Sequence, residues 1–421
     1  MTTDAGPALR GQLLKRLADG RDETDRLFAI IKPAHLYERP IAERNRTVFY
    51  IGHLEAFDWN LLRGHLKLER FQPEFDRLFA FGIDPVDGGL PSDQPSDWPS
   101  LREIEIYRRR IRREVDAALA EAMESEELIQ LMHIAIEHRL MHAETLEYMF
   151  HQMPFDAKSR PDEAALKSSN GAPSVAIPEM LSIPAGPVTL GLPRESGQFG
   201  WDNEFEAHSV DVPAFSIDRY KVTNRQFVQF VEAGGYTERA LWTPADWDWK
   251  TEAGISHPVF WTPAAQDFHY RTMFDDIALP LDAPVYVSHA EASAYARWAG
   301  KALPSEAEWQ RAAEGAQPPK ETRKLWDPPA AGSAPELRSV HGVEDLFGTG
   351  WEWAATPFAP FPGFKTVAAY PGYSADFFDG KHFVMKGGST RTSVCMLRMS
   401  FRNWFQAHYP FVYAGFRCVT R

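Results

Sequence analysis

Around residues 154–178 the texture of the chain changes, and that change limits the folds open to it. The stretch PFDAKSRPDEAALKSSNGAPSVAIP carries Pro, Gly, Ser and charge but no sustained apolar period, so it reads as a linker. Before it, helical periodicity dominates. After it come short β-like runs, Gly/Pro turns and tryptophans. The fold class that follows is α, then α+β: a helical domain at 1–153, a linker at 154–178 and a second domain at 179–421. A chain of 421 residues is long enough for each part to bury its own core.

Four segments of the first part read as helices, at about 7–31, 41–69, 99–123 and 125–151. The first carries Leu13, Leu14, Leu17, Leu27, Ile30 and Ile31 near i, i+3, i+4 spacing, and the second Val48, Ile51, Leu54, Leu61 and Leu62. Ser100 and Ser125 stand where N-caps of the third and fourth belong. Four amphipathic helices of this length predict a bundle whose interior can host a metal. The intervening 82–99, rich in Pro, Gly and Asp, predicts a long loop of the kind that is usually functional. In the second part only 223–233 and 288–313 read as helical. With so many loops, aromatic residues must supply much of that core: 13 Trp, 13 Tyr and 28 Phe make 13% of the chain. No internal repeat is evident.

Charge narrows the function. With 58 Asp+Glu against 45 Lys+Arg, the net charge of -13 offers no field for nucleic acid or an anionic membrane, leaving a small-molecule enzyme or a protein binder. Two cysteines, Cys395 and Cys418, cannot make a disulfide framework or a Cys-rich zinc site and read as structural thiols of a reducing compartment. There is no apolar leader and no run of about 18 apolar residues. A cytoplasmic protein is expected.

The metal candidate lies in the fourth helix. His138 and His142 are four apart, so both imidazoles share one face about a turn apart. Arg139 stands where a zincin would carry its catalytic Glu. His53, between Ile51 and Leu54, lies on or beside an apolar face where an unpaired imidazole would be costly, and a bundle can bring it opposite the pair. Three imidazoles with open positions suit Fe(II), Zn(II), Mn(II) or Ni(II). Glu137 and Glu144 are candidate acceptors for the imidazole N–H groups, while His65 and His133 read as structural.

Two stretches then become familiar. His53 with His138-Arg-Leu-Met-His142-Ala-Glu resembles the N-terminal, DinB-like four-helix bundle of the ergothioneine-type sulfoxide synthases. The second part resembles a formylglycine-generating-enzyme domain with its C-type-lectin-like core. Its matching pieces are Ile183-Pro-Ala-Gly186, Trp201-Asp-Asn-Glu204, Val222-Thr-Asn-Arg-Gln226, Ala302-Leu-Pro-Ser-Glu-Ala-Glu-Trp309, Trp351-Glu-Trp353, Lys386-Gly-Gly-Ser389, Phe401-Arg-Asn-Trp404 and Ala414-Gly-Phe-Arg417. The resemblance implies an Fe(II)- and O2-dependent enzyme joining a chalcogen to C2 of the imidazole of hercynine, Nα-trimethylhistidine. It implies His53, His138 and His142 as iron ligands, and Asn403 and Trp404 as the holders of the hercynine head group. It also implies Tyr370 as a proton donor and Tyr373 as a substrate hydrogen-bond partner.

Departures from the family pattern bear on the donor. Where synthases using γ-glutamylcysteine carry Asp and Arg after the Asn-Trp pair, this chain has Phe405 and Tyr409. Its 82–99 loop lacks their arginine cluster, and Met141 replaces a glutamine inside the histidine motif. A doubly carboxylated thiol would find no cationic clamp. The pattern resembles the selenoneine synthase branch, whose donor is a selenosugar and whose product bond is C–Se. The reading is thus a selenoneine synthase, with a cysteine- or γ-glutamylcysteine-using sulfoxide synthase as the alternative. Three others stand beside them: a lectin-like binding protein, a DinB-type thiol transferase using zinc or nickel, and a formylglycine-generating enzyme, for which Cys395 and Cys418 are too far apart in sequence.

Overall fold

The computed structural model of the protein describes residues 5–80, 90–122, 125–161, 178–265 and 267–421. The chain divides into two compact units, 1–161 and 162–421.

The first unit is built on α1 (Ala5–Phe28), α2 (Thr47–Leu62), α3 (Pro73–Leu78), α4 (Leu101–Glu121) and α5 (Glu126–Gln152). Helix α4 shows why these segments are helical: Ser100 caps it in a reciprocal pair with Glu103, and Ile104, Tyr107, Ile111, Val115 and Leu119 form one buried stripe. The other face is Arg and Glu. Helix α2 is buried nearly all round, and it packs against α3, α4 and α5, while α1 lies on α5. A helix in that position can carry polar groups only if each finds a partner.

Some boundaries differ from the sequence expectation. The second helix begins at Thr47 rather than near 41, because Arg46 is tied to Asp93 and to the carbonyl of Tyr37, which folds 39–46 into turns. It ends at Leu62, and Lys67 then takes a left-handed φ of 56°. Helix α3 was not anticipated. Of the 82–99 loop, 82–89 lie outside the described residues. The remainder is anchored where Asp93 accepts hydrogen bonds from Arg39, Arg46 and Trp98. Of the expected linker, 162–177 lie outside the described residues. Residues 154–161 belong to the first unit, where Lys158 bridges to Ile31 and its ammonium donates to the carbonyl of Phe150.

The second unit combines short strands with four helices among its described residues. β8 (Gly350–Pro357) and β9 (His382–Gly388) centre a four-stranded sheet ordered β10-β9-β8-β11, with β10 (Asn403–Gln406) antiparallel to β9 and β11 (Ala414–Gly415) parallel to β8. β1 (Met180–Ile183), β4 (Phe215–Asp218) and β12 (Val419–Thr420) form a second sheet, and β2 (Gly186–Leu190) pairs with β3 (His208–Val212). β5 (Trp261–Pro263), β6 (Phe268–Arg271) and β7 (Asp276–Ala278) form a further, antiparallel sheet. Helix α6 (Asn224–Glu232) starts at the Thr223 cap, as its sequence predicts. The 288–313 segment is two helices, α8 (His289–Trp298) and α9 (Glu306–Ala312), because Gly300 turns at a φ of 67° and Pro304 precedes a new cap at Ser305. Helix α7 (Pro244–Glu252), masked in the sequence by its Trp and Pro content, was missed. No helix among the described residues is long and apolar enough to cross a membrane.

At the centre of this unit Glu352, in Trp-Glu-Trp, receives Arg417 at 2.6 and 2.8 Å, Lys221 at 3.0 Å and the indole N–H of Trp309 at 2.9 Å, all buried. Four segments far apart in sequence thus meet on one carboxylate. Removing one partner of a buried charge cluster strands the others, at about 3–5 kcal/mol. Glu352→Gln should therefore lower the unfolding free energy read from urea denaturation by that order, whereas Asp19→Ala, which breaks the exposed pair with Lys15, should change it by less than about 0.5 kcal/mol. Equal effects from the two would contradict this account of the core.

Candidate functional site

The first unit brings its three histidines to one point. His53 of α2 and His138 and His142 of α5 are 4%, 3% and 2% exposed. The Nε2 atoms of His53 and His142 lie 3.2 Å apart, as do those of His142 and His138. The Nδ1–H of His53 donates to the carbonyl of Phe79 at 2.7 Å, which leaves the Nε2 lone pair facing the other rings. Aromatic rings hold two of the imidazoles in place. Phe49 stacks on His53 at 4.9 Å and Phe57 on His138 at 3.4 Å, and these side chains sit one turn either side of His53 on α2.

Burial lowers the His53 imidazole to about 4, and burial together with the neighbouring rings pushes His138 and His142 well below the ordinary range. All three are neutral at pH 7. Neutral imidazole nitrogens crowded around one point repel unless a cation accepts their lone pairs, so the donor set fits a divalent ion that takes nitrogen ligands. Among the described residues no other group of His, Cys, Asp or Glu converges in this way.

Behind the histidines lies an ionic cluster that the sequence reading passed over. Arg139 is buried and donates to Asp58 at 2.7 Å, to Glu55 at 3.1 Å and to the carbonyl of Leu54 at 2.9 Å. Arg112 of α4 reaches Glu55 at 2.6 Å and Asp25 of α1 at 2.6 Å. Burial alone would raise the Glu55 carboxyl, but Arg139 and Arg112 bring it well below the usual carboxylate range. The signal was present: Glu55 and Asp58 are acids within a helix that is otherwise almost wholly apolar. Glu137 and Glu144 are buried on α5, and Met141 is half-buried between the two histidines. His65 lies 3.4 Å from Glu127, and His133 is half-buried.

In the second unit the sequence-predicted residues fall in two aromatic groups. Tyr373 is buried and Tyr370 half-buried, with ring centroids 5.9 Å apart. Tyr373 stacks on Trp201 at 3.9 Å and meets Trp404 edge-on at 5.2 Å, while Phe358 covers Trp404 at 4.3 Å. Asn403 opens β10, and its Oδ1 accepts from the backbone N–H of Trp404 at 2.9 Å. Phe405 and Tyr409 form the second group, stacked at 5.2 Å and 11°. His408, between them in sequence, lies 2.8 Å from Asp246 and stacks on Trp249 at 4.6 Å. Trp201 and the α7 residues Asp246 and Trp249 were not anticipated as neighbours. Cys418 is buried, and burial raises its thiol; Cys395 is half-buried, with Sγ 3.4 Å from the Ser393 hydroxyl.

The histidine burial gives a pH prediction for metal-free protein. Unfolded imidazoles take a proton near 6.5, and buried His53 only near 4, so between these values the unfolded chain binds more protons. Stability should fall as pH drops through that window, with roughly 3 kcal/mol coming from His53. Urea midpoints from pH 7 to 4 should show a shallower decline in His53→Gln than in wild type. Identical profiles would contradict the assignment.

Residues 166–327 and 328–421, more than half of the chain, match the family described as sulfatase-modifying factor enzyme 1-like domain. Hercynine oxygenase of Mycolicibacterium smegmatis is 37% identical over 271 residues, 59% of this chain and 62% of that protein. Ergothioneine biosynthesis protein 1 of Neurospora crassa is 27% identical over 91% of this chain and 55% of its own length, a share larger than the second unit alone supplies. Formylglycine-generating enzyme of Mycobacterium tuberculosis is 29% identical over 44% of this chain and 76% of its own. The chain spans little more than half the length of the first relatives it matches. By the match across its second unit, the chain belongs to the sulfatase-modifying factor enzyme 1-like family.

Proposed function

We propose that the protein is an iron(II)- and O2-dependent synthase that oxidatively joins C2 of the hercynine imidazole to the chalcogen of a small donor, with a thiol as that donor. The observation that supports it most is the convergence of three neutral, buried imidazole nitrogens. It is joined by the names of the relatives, hercynine oxygenase and ergothioneine biosynthesis protein. In this reading the first unit is a DinB-like bundle and the second has a C-type-lectin-like core.

His53, His138 and His142 would hold the iron. Bound there, Fe(II) would supply one-electron chemistry and ligand positions for small molecules. The hydrogen bond from His53 to Phe79 fixes that ring's tautomer and orientation. Because Oδ1 of Asn403 is already engaged, its Nδ2 is the group that would meet the hercynine carboxylate. The Trp404 and Tyr373 rings suit a quaternary ammonium, which aromatic faces attract. Tyr373 would hydrogen-bond the substrate, and half-buried Tyr370 would donate a proton.

A second reading, a selenosugar donor with formation of a C–Se bond, rests on Phe405 and Tyr409. Two stacked rings occupy the positions where the synthases using γ-glutamylcysteine carry Asp and Arg. An aromatic surface suits a neutral polyhydroxylated donor better than a dicarboxylate.

Protein loaded anaerobically with iron, then given hercynine and O2 with cysteine, γ-glutamylcysteine or 1-seleno-N-acetylglucosamine, separates the readings by mass spectrometry of the coupled product. Product in a thiol arm is expected, with iron and turnover lost together in His138→Ala. Product in the selenosugar arm alone would overturn the thiol donor and keep hercynine coupling. No product in any arm with iron bound would overturn the proposal.

A further inference from the structure

One short turn touches both elements that carry the proposed hercynine contacts of the second unit. It is the 3-10 turn Asp202–Glu204, entered from Trp201. The Trp201 ring stacks on Tyr373 at 3.9 Å and 21°. Asp202, 3% exposed, accepts through Oδ1 from the hydroxyl of Ser374 at 2.6 Å. Val367 and Ser374 bracket the two tyrosines. Between them the chain is a succession of turns, Tyr370 N–H to Val367 C=O at 3.0 Å and Tyr373 N–H to Tyr370 C=O at 3.2 Å. Most of 365–372 is exposed and without regular structure, so few contacts hold it.

The same turn grips the segment that leads into Asn403. The carbonyl of Asn203 accepts from Arg402 at 3.1 Å, and Glu204 accepts from Arg398 at 2.9 Å and from Ser400 at 2.7 Å. Arg402 also reaches Glu306 at 2.9 Å. Asp202 is an odd choice for stability alone. Its Oδ2 is buried without a hydrogen-bond partner among the described residues, and burial raises the carboxyl against the pull of its hydrogen bonds. Such a group is retained where it holds a geometry.

We infer that Asp202 is a positioning residue: by clamping Ser374, next to Tyr373, it sets the Tyr370–Tyr373 turn against the Asn403–Trp404 strand, so that the Tyr373 hydroxyl is presented to hercynine. The inference rests on the reading that this unit binds hercynine.

A double-mutant cycle on anaerobic, iron-loaded, full-length protein tests it, with the hercynine Kd read by calorimetry in the absence of O2 and donor. Asp202→Ala should weaken binding about tenfold, and Asp202→Asn, which keeps an oxygen for Ser374, should restore most of it. In a Tyr373→Phe background Asp202→Ala should add less than about twofold, because the two act through one contact. Equal losses in both backgrounds, or wild-type binding by Asp202→Ala, would overturn the inference. Should Asp202→Ala fail to fold, Ser374→Ala replaces it in the cycle with an expected loss of about fivefold and the same criterion. If wild type itself binds no hercynine, the functional reading fails and the inference with it; wild-type binding with an additive cycle sinks the inference alone.

Discussion

A guanidinium buried next to three imidazoles is the constraint on which the first unit depends. Arg139 cannot shed its proton, so its position in the core requires carboxylates, and it finds Glu55 and Asp58 on the facing helix. Those acids follow His53 by two and five residues on α2, and Arg139 follows His138 on α5. Sliding the two helices by one turn would leave a charge buried without a partner, at about 3–5 kcal/mol. The ion cluster therefore fixes the register that brings the three Nε2 atoms together. Arg112 extends the same carboxylate to α4 and α1, so four helices share the constraint. The imidazoles need no charge of their own: burial keeps them neutral, which is the state a metal requires.

The second unit applies the same physics to a different problem. Its strands are short and its loops long, so pleated hydrogen bonding cannot define its interior alone. Glu352, Arg417, Lys221 and Trp309 meet instead as one buried polar group. Around it, aromatic rings fill volume that irregular backbone leaves open. Lys386-Gly-Gly-Ser389 shows how tight this becomes. Gly387 has a φ of 93°, and a Cβ there would run into the carbonyl of Leu346.

Much of this was legible in the sequence where a local rule applied. The caps at Ser100, Ser125 and Thr223 and the apolar spacing of α1 announce their helices, and HxxxH places two histidines on one face. The convergence of the three histidines needed one step more, the cost of leaving His53 unpaired in an apolar helix. What escaped was set by distant partners. The start of α2 depends on Asp93, 46 positions after Thr47 and reachable only in the fold. Helix α7 was hidden because its apolar content is tryptophan rather than a Leu/Ile stripe. The role of Asp202 is invisible without Ser374 beside it. Arg139 was read only as a departure from a zincin, when its partners were the acids two and five places after His53.

The donor question turns on the stacked pair Phe405–Tyr409, but the central claim is prior to it: the three histidines hold iron, and hercynine binds to the protein that carries it. Electron paramagnetic resonance of the nitric oxide adduct of the anaerobic ferrous protein tests this directly. The account predicts one iron per chain and a high-spin ferrous–nitrosyl spectrum that changes on titration with hercynine, with iron and signal both lost in His53→Ala. A spectrum indifferent to saturating hercynine, or iron retained at full occupancy in that variant, would contradict it.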